Sequence, residues 1–166
     1  ETPRRDMEYR GGRLPPIVMK HPNRSRIAAA MIAGAALFIH PASASDFPEG
    51  SPAFVTAYDA ALKAAKDGGK PVVMIFSASW CPPCQANKRR VYPSAEVKPF
   101  HDKFVWAYLD ADQKANAAAM QKFGVSGIPH IEFLDKEGRS LGQAVGGTAP
   151  EAFAGQLAAI LKKAGS

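Results

Sequence analysis

The feature that most limits the fold is a step from an apolar run to a cysteine pair between residues 71 and 85. Pro71-Val72-Val73-Met74-Ile75-Phe76 carries no charge and is bounded by Gly69-Lys70 and Ser77. Its length and β-branched content predict a strand buried on both faces, as in a parallel sheet. Cys81 and Cys84 follow within a few residues, and the 166-residue chain has no others. A helix is expected over residues 82–91, so the cysteines stand where a buried strand turns into a helix.

The rest of the chain supplies the partners such a strand needs. Residues 53–66 place Phe54, Val55, Tyr58, Leu62 and Ala65 at roughly helical spacing, and Gly68-Gly69 stops that helix. Ser94 is a plausible N-cap for a short helix over residues 94–100, weakened by Pro99. A second strand is expected over 104–109, closed by Asp110-Ala111-Asp112, then a helix over 113–123 with Gly124 at its C-terminal end. Residues 130–134 form a third strand, Asp135-Lys136-Glu137-Gly138 a turn, and residues 141–145 a fourth strand. Thr148 and Glu151 read as a capping box for a last helix over 151–163, whose apolar face carries Phe153, Leu157, Ile160 and Leu161. Strands joined through helices pair in parallel by right-handed crossovers, and the last hairpin adds an antiparallel edge. The expected class is α/β: a three-layer α/β/α sandwich around a mixed sheet of about four strands.

Charge restricts the function classes. The formal net charge is +6, but residues 1–44 hold seven Lys/Arg against three acids. That leaves 14 basic and 12 acidic residues beyond, a net of only +2. The basic excess belongs to the leader, so nucleic acid is not an expected partner. In that leader the basic stretch 20–26 precedes an uncharged apolar run over 27–39, then Pro41 and the small-x-small Ala42-Ser43-Ala44. These are the three regions of a cleaved secretory signal in their expected order, and the run is short for a membrane span. Residues 19–44 are therefore expected to be a signal peptide, with residues 1–18 upstream or vector-derived sequence and the folded domain at 45–166. The expected destination is the periplasm.

Four chemistries use a C-x-x-C. Structural zinc needs further ligands, and the only histidines after residue 44 are His101 and His130. Covalent haem attachment needs a histidine after the second cysteine, where Gln85 stands. A static disulfide across so short a loop constrains the unfolded chain little. A redox-active pair fits the strand-to-helix context best. At a helix N-terminus Cys81 meets the positive end of the dipole, which favours its thiolate and makes it the nucleophile. Cys84, one turn inside, is then the resolving thiol. Pro82 suits the first helical position, and neither Pro82 nor Pro83 has an N–H to offer the Cys81 sulfur. The nearest backbone donors become those of Cys84 and Gln85, so the thiolate is expected to be only moderately stabilised. Lys88, Arg89 and Arg90 read as a solvated helix face or a docking patch.

Trp80-Cys81-Pro82-Pro83-Cys84 after an apolar strand, Asp110-Ala111-Asp112 after a second and Gly127-Ile128-Pro129 before a third resemble the thioredoxin superfamily. The likeness runs from about residue 53 to residue 163. It implies that Pro129 is cis beside the disulfide and that Ile128 and Pro129 dock a substrate strand, with Trp80, Pro82 and Pro83 on the rim. Gly69-Lys70-Pro71-Val72 and Ser94-Ala95-Glu96-Val97 are similar to the exported branch that includes the periplasmic domain of DsbD. The resemblance implies dithiol–disulfide exchange with protein thiols and disulfides, without metal or organic cofactor. A monomer supplied by a membrane electron donor and acting as a reductant is the first reading. An oxidase or isomerase, or a non-catalytic module binding a metal or a partner, are the alternatives.

Two positions depart from the family. A buried aspartate is common six residues before the first cysteine, where this chain has Ile75. Proton transfer to Cys84 must then use water or another group, with Glu132 a speculative candidate. His130 stands where threonine is common after the proline; it is expected to be a half-exposed strand residue rather than a pH-sensitive neighbour of the cysteines.

Overall fold

A computed structural model describes residues 47–165, all within one compact unit. The expected signal peptide and the segment before it lie outside the described residues. Among the described residues no helix is long and apolar enough to cross a membrane.

The elements run β1 (Phe54–Val55), α1 (Tyr58–Gly68), β2 (Val72–Ser77), α2 (Pro82–Ala86), β3 (Val105–Asp110), α3 (Ala117–Lys122), β4 (His130–Leu134), β5 (Ser140–Val145) and α4 (Pro150–Ala164). Five strands make one sheet in the order β1-β3-β2-β4-β5. β1 and β2 run parallel to β3, while β4 is antiparallel to both β2 and β5. β2 lies at the centre, and all six of its residues are buried, as its unbroken apolar sequence requires.

The pleat sends successive β2 side chains into two separate cores. Val73 and Ile75 join Trp106, Ile131 and Phe133 under Phe153, Leu157 and Ile160 of α4. Val72, Met74 and Phe76 join Ala107, Leu109 and Leu134 under Ala61 and Ala65 of α1 and Ala119 of α3. The result is the expected three-layer α/β/α sandwich, with five strands rather than about four.

The extra strand comes from Phe54 and Val55, which the helical spacing assigned to the first helix. Their backbones pair with Trp106 and Ala107, and Phe54 packs edge-on against Trp106 and Tyr92. Aromatic and β-branched residues suit that half-buried edge, so α1 begins only at Tyr58. It ends where expected, with Gly69 left-handed at φ 63°.

Other helix ends also moved. Ser94 Oγ does accept the Val97 N–H, at 3.4 Å, but the helix that follows is a 3₁₀ turn over Lys98–Lys103. α3 is shorter than the alanine-rich segment suggested, because its first turn, Lys114–Asn116, is also 3₁₀. The capping box at Thr148 does not form. α4 starts from Ala149 with Pro150 in its first turn, and the Thr148 hydroxyl donates to the Ala149 carbonyl instead. Pro150 lacks the N–H that would need a cap and holds its φ ready for the helix. The β4–β5 turn is tied by Asp135, whose carboxylate accepts the N–H groups of Glu137 and Arg139 and pairs with the Arg139 guanidinium. Partial burial pushes that carboxyl up, but these donors outweigh it and hold it below the ordinary aspartate range.

Candidate active site

α2 starts at the carboxyl end of the central strand, where the chain leaves the sheet through Ala78, Ser79 and Trp80. Cys81 is the N-cap of α2, and Pro82 and Pro83 open its first turn, as the missing N–H groups of that turn allow. Cys81 and Cys84 form a disulfide, with Cα atoms 5.2 Å apart. Both are buried, in a small apolar group with Ala78 that Ile128 packs against. The Cys84 N–H donates to Cys81 Sγ at 3.3 Å, while the Gln85 N–H is taken by the Cys81 carbonyl at 3.0 Å. Of the two backbone donors expected at the sulfur, one reaches it.

The Ile128–Pro129 peptide is cis. The Ile128 carbonyl oxygen is 3.7 Å from Cys81 Sγ, so the loop before β4 lies directly against the outer cysteine. Ile128 is half-buried and Pro129 buried. The expected site residues Trp80, Cys81, Pro82, Pro83, Cys84, Ile128 and Pro129 are thus gathered at one end of the sheet.

Trp80 is 66% exposed, which excludes a core role for its ring. Its Nε1–H donates to Asp112 Oδ2 at 2.7 Å, and Asp110 Oδ1 accepts the Asp112 N–H in turn. The Asp-Ala-Asp turn after β3 therefore holds the indole beside the disulfide. Among the described residues the other exposed large apolar one is Val145, at the end of β5 and paired in register with His130. Sequence reading missed Val145, although a Val-Gly-Gly-Thr run closing a strand beside the proline loop was the signal available.

The face below Cys84 differs from the expectation. Ile75 is fully buried among apolar residues, with Tyr92 in the same core. Burial pushes the Tyr92 hydroxyl well above its ordinary value, and nearby Tyr108 adds to the rise. Glu132 is placed on the other face. It sits opposite Met74 in the β2–β4 register, and Met74 belongs to the α1 and α3 core. It is therefore no proton carrier for Cys84. His130 is not half-exposed either: it is 2% exposed, and its Nε2 lies 3.2 Å from Glu132 Oε2. Ser140 Oγ donates to the second Glu132 oxygen, so the carboxylate is satisfied from both sides.

A cleft of about 370 Å³ opens on the α2 side of the sheet, lined by Phe47, Ser77, Gln85, Lys88, Tyr108 and Asp110. Ser77 Oγ and Tyr108 OH are 2.6 Å apart across its floor. Lys88 stands 4.3 Å above the Phe47 ring. Among the described residues no three His, Cys, Asp or Glu side chains are grouped to hold a metal.

Comparison with known proteins agrees with this geometry. The chloroplastic thioredoxin-like protein HCF164 of Arabidopsis thaliana is 35% identical over 124 residues, 75% of this chain and 46% of its own length. The thioredoxin of Alicyclobacillus acidocaldarius is 34% identical over 110 residues, 66% of this chain and all of its own. The thiol:disulfide interchange protein DsbD of Cronobacter sakazakii is 35% identical over 105 residues, 60% of this chain and 18% of its own. The chain thus spans less than half the length of its plant and DsbD relatives. In fold it is similar to a solved thioredoxin from Thermus thermophilus, at TM-score 0.62 and 23% identity, over 70% of this chain and 91% of that one. A family model described as thioredoxin-like matches residues 53–136, half of the sequence and the whole of the disulfide site up to β4, and the chain belongs to that family.

Proposed function

We propose that this chain is an exported thiol–disulfide oxidoreductase that works as a reductant of protein disulfides. The observation that carries the reading is the Cys81–Cys84 disulfide at the start of α2, with the Ile128 carbonyl 3.7 Å from Cys81 Sγ. In the reduced domain the Cys81 thiolate attacks one sulfur of a substrate disulfide. A mixed disulfide forms and the other substrate sulfur leaves as a thiolate. Cys84, once deprotonated, then attacks Cys81 Sγ, which releases the second substrate thiol and restores the Cys81–Cys84 disulfide. Ile128 and Pro129 offer the backbone on which the substrate strand lies, and Trp80, Pro82 and Pro83 form the rim it crosses.

What supports this direction is how little stabilises the Cys81 thiolate. Pro82 and Pro83 have no N–H, Gln85 donates elsewhere, and among the described residues only the Cys84 N–H reaches the sulfur. A strongly oxidising centre needs a strongly stabilised reduced form, and this site lacks the donors for one. The similarity to a thiol:disulfide interchange protein DsbD supports exchange with protein thiols and disulfides, and an upstream membrane electron donor is part of the proposal.

Equilibration of the chain with glutathione or dithiothreitol buffers tests the direction. A potential between about −270 and −200 mV is expected, and a value near −120 mV would make the protein a disulfide donor instead. Export is tested separately by intact mass. The mature protein is expected to begin near Ser45, and a periplasmic form that retains residues 19–44 would refute a cleaved signal.

A further inference from the structure

We infer that Asn87 is a positioning residue that clamps the disulfide helix to the backbone on which a substrate strand docks. The inference rests on the exchange reaction proposed above and adds a residue to its machinery. Asn87 opens the π-helical turn Asn87–Val91 that continues α2, three residues beyond Cys84. A widened turn of this kind is closed by the Tyr92 N–H on the Asn87 carbonyl, at 3.1 Å. The Asn87 side chain is 1% exposed, so its amide must find partners inside the protein.

It meets the buried Tyr92 hydroxyl and, across the fold, two backbone groups of one loop. Asn87 Nδ2–H donates to the Gly146 carbonyl at 3.5 Å, and Asn87 Oδ1 accepts the Thr148 N–H at 3.2 Å. The first bond is long and the second ordinary. Together they need one donor and one acceptor on the same planar group, which asparagine has and aspartate or leucine lacks. The clamped loop is the one that closes on the cis-proline, because the Gly146 N–H donates to the Pro129 carbonyl at 2.8 Å. Gly147 passes so close to the rim that an added Cβ would lie 3.7 Å from Pro83 Cβ.

These contacts make a circuit. From Cys84 the chain reaches Asn87, crosses to Gly146 and Thr148, passes to Pro129, and returns through the Ile128 carbonyl to Cys81 Sγ. Asn87 is the side chain that closes the circuit from the helix side. Loosening it frees the loop to drift from α2 and leaves the Thr148 N–H unpaired. A substrate strand would then meet docking atoms no longer held at fixed spacing from the attacking sulfur. Small disulfides without a peptide backbone make no use of that spacing.

The test compares two substrates on the full chain: a disulfide-linked peptide of about ten residues, and 2-hydroxyethyl disulfide, which has no peptide backbone. For Asn87→Ala the ratio of kcat/KM for the peptide over the small disulfide is expected to fall about tenfold, through KM for the peptide. Asn87→Asp keeps the acceptor for Thr148 and is expected to fall between the two; it also answers if the alanine variant does not fold. An unchanged ratio overturns the inference, and so does an equal loss with both substrates, which marks general loosening. If the unsubstituted chain turns over neither substrate, the proposed function itself fails.

Discussion

Cys84→Ser is expected to stop turnover and leave the protein covalently joined to its substrates. In the first step Cys81 alone exchanges with the substrate disulfide, so the variant still forms the mixed disulfide. Resolution needs a second sulfur close to Cys81 Sγ. The folded chain offers only Cys84 there, one helical turn inside α2, and the two sulfurs already bond. A serine hydroxyl cannot displace a thiolate from a disulfide at neutral pH. Turnover should fall by on the order of 10³-fold or more. Non-reducing gels should show a new adduct that dithiothreitol dissolves. Cys81→Ser should abolish turnover without that adduct, because Cys84 sits one turn inside α2 and is buried. Equal adduct from both variants would reverse the assignment of nucleophile and resolving thiol.

The cysteine segment of the proposed site was legible because its chemistry is local. A cysteine pair, two prolines and a preceding apolar strand are adjacent in sequence, and helix-start physics alone orders Cys81 before Cys84. The three segments around the disulfide were legible as motifs, and the structure brings them together. The missing parts were set by contacts across the fold. Nothing in Asn87-Lys88-Arg89-Arg90 announces that the first of these points inward, since that depends on a π-helical turn of α2 and on a loop some 60 residues away. β1 escaped because two residues are too short to show a period, and only Trp106 and Ala107 across the sheet decide that they are strand. The parallel pairing of β2 with β3 followed from connection rules. The antiparallel seat of β4 beside β2, against the parallel pairing expected of strands joined through a helix, depended on contacts across the sheet, as did the strand number.

His130 and Glu132 show the same limit from the other side, and they carry the second large effect. The run His130-Ile131-Glu132-Phe133 alternates polar and apolar, the pattern of a strand with one face in water. The structure buries both faces, with Glu132 3% exposed. The polar face survives burial because its members satisfy one another: His130 Nε2 and Ser140 Oγ both reach the Glu132 carboxylate. A network of that kind is costly to break and cheap to replace whole. Glu132→Ala removes the shared acceptor, strands the buried imidazole and leaves a cavity between β2 and β5. A loss of about 3–5 kcal/mol in unfolding free energy is expected, a large share of what a domain this size has. Replacing both His130 and Glu132 by leucine should recover most of it, because Ser140 is exposed and water can take its hydroxyl. Urea melts of the wild type, Glu132→Ala and the double leucine variant give the comparison. A single-variant cost below about 1 kcal/mol would mean that the three groups hold no such network. A double variant no more stable than Glu132→Ala would mean that the loss lies in packing volume rather than in stranded polar atoms.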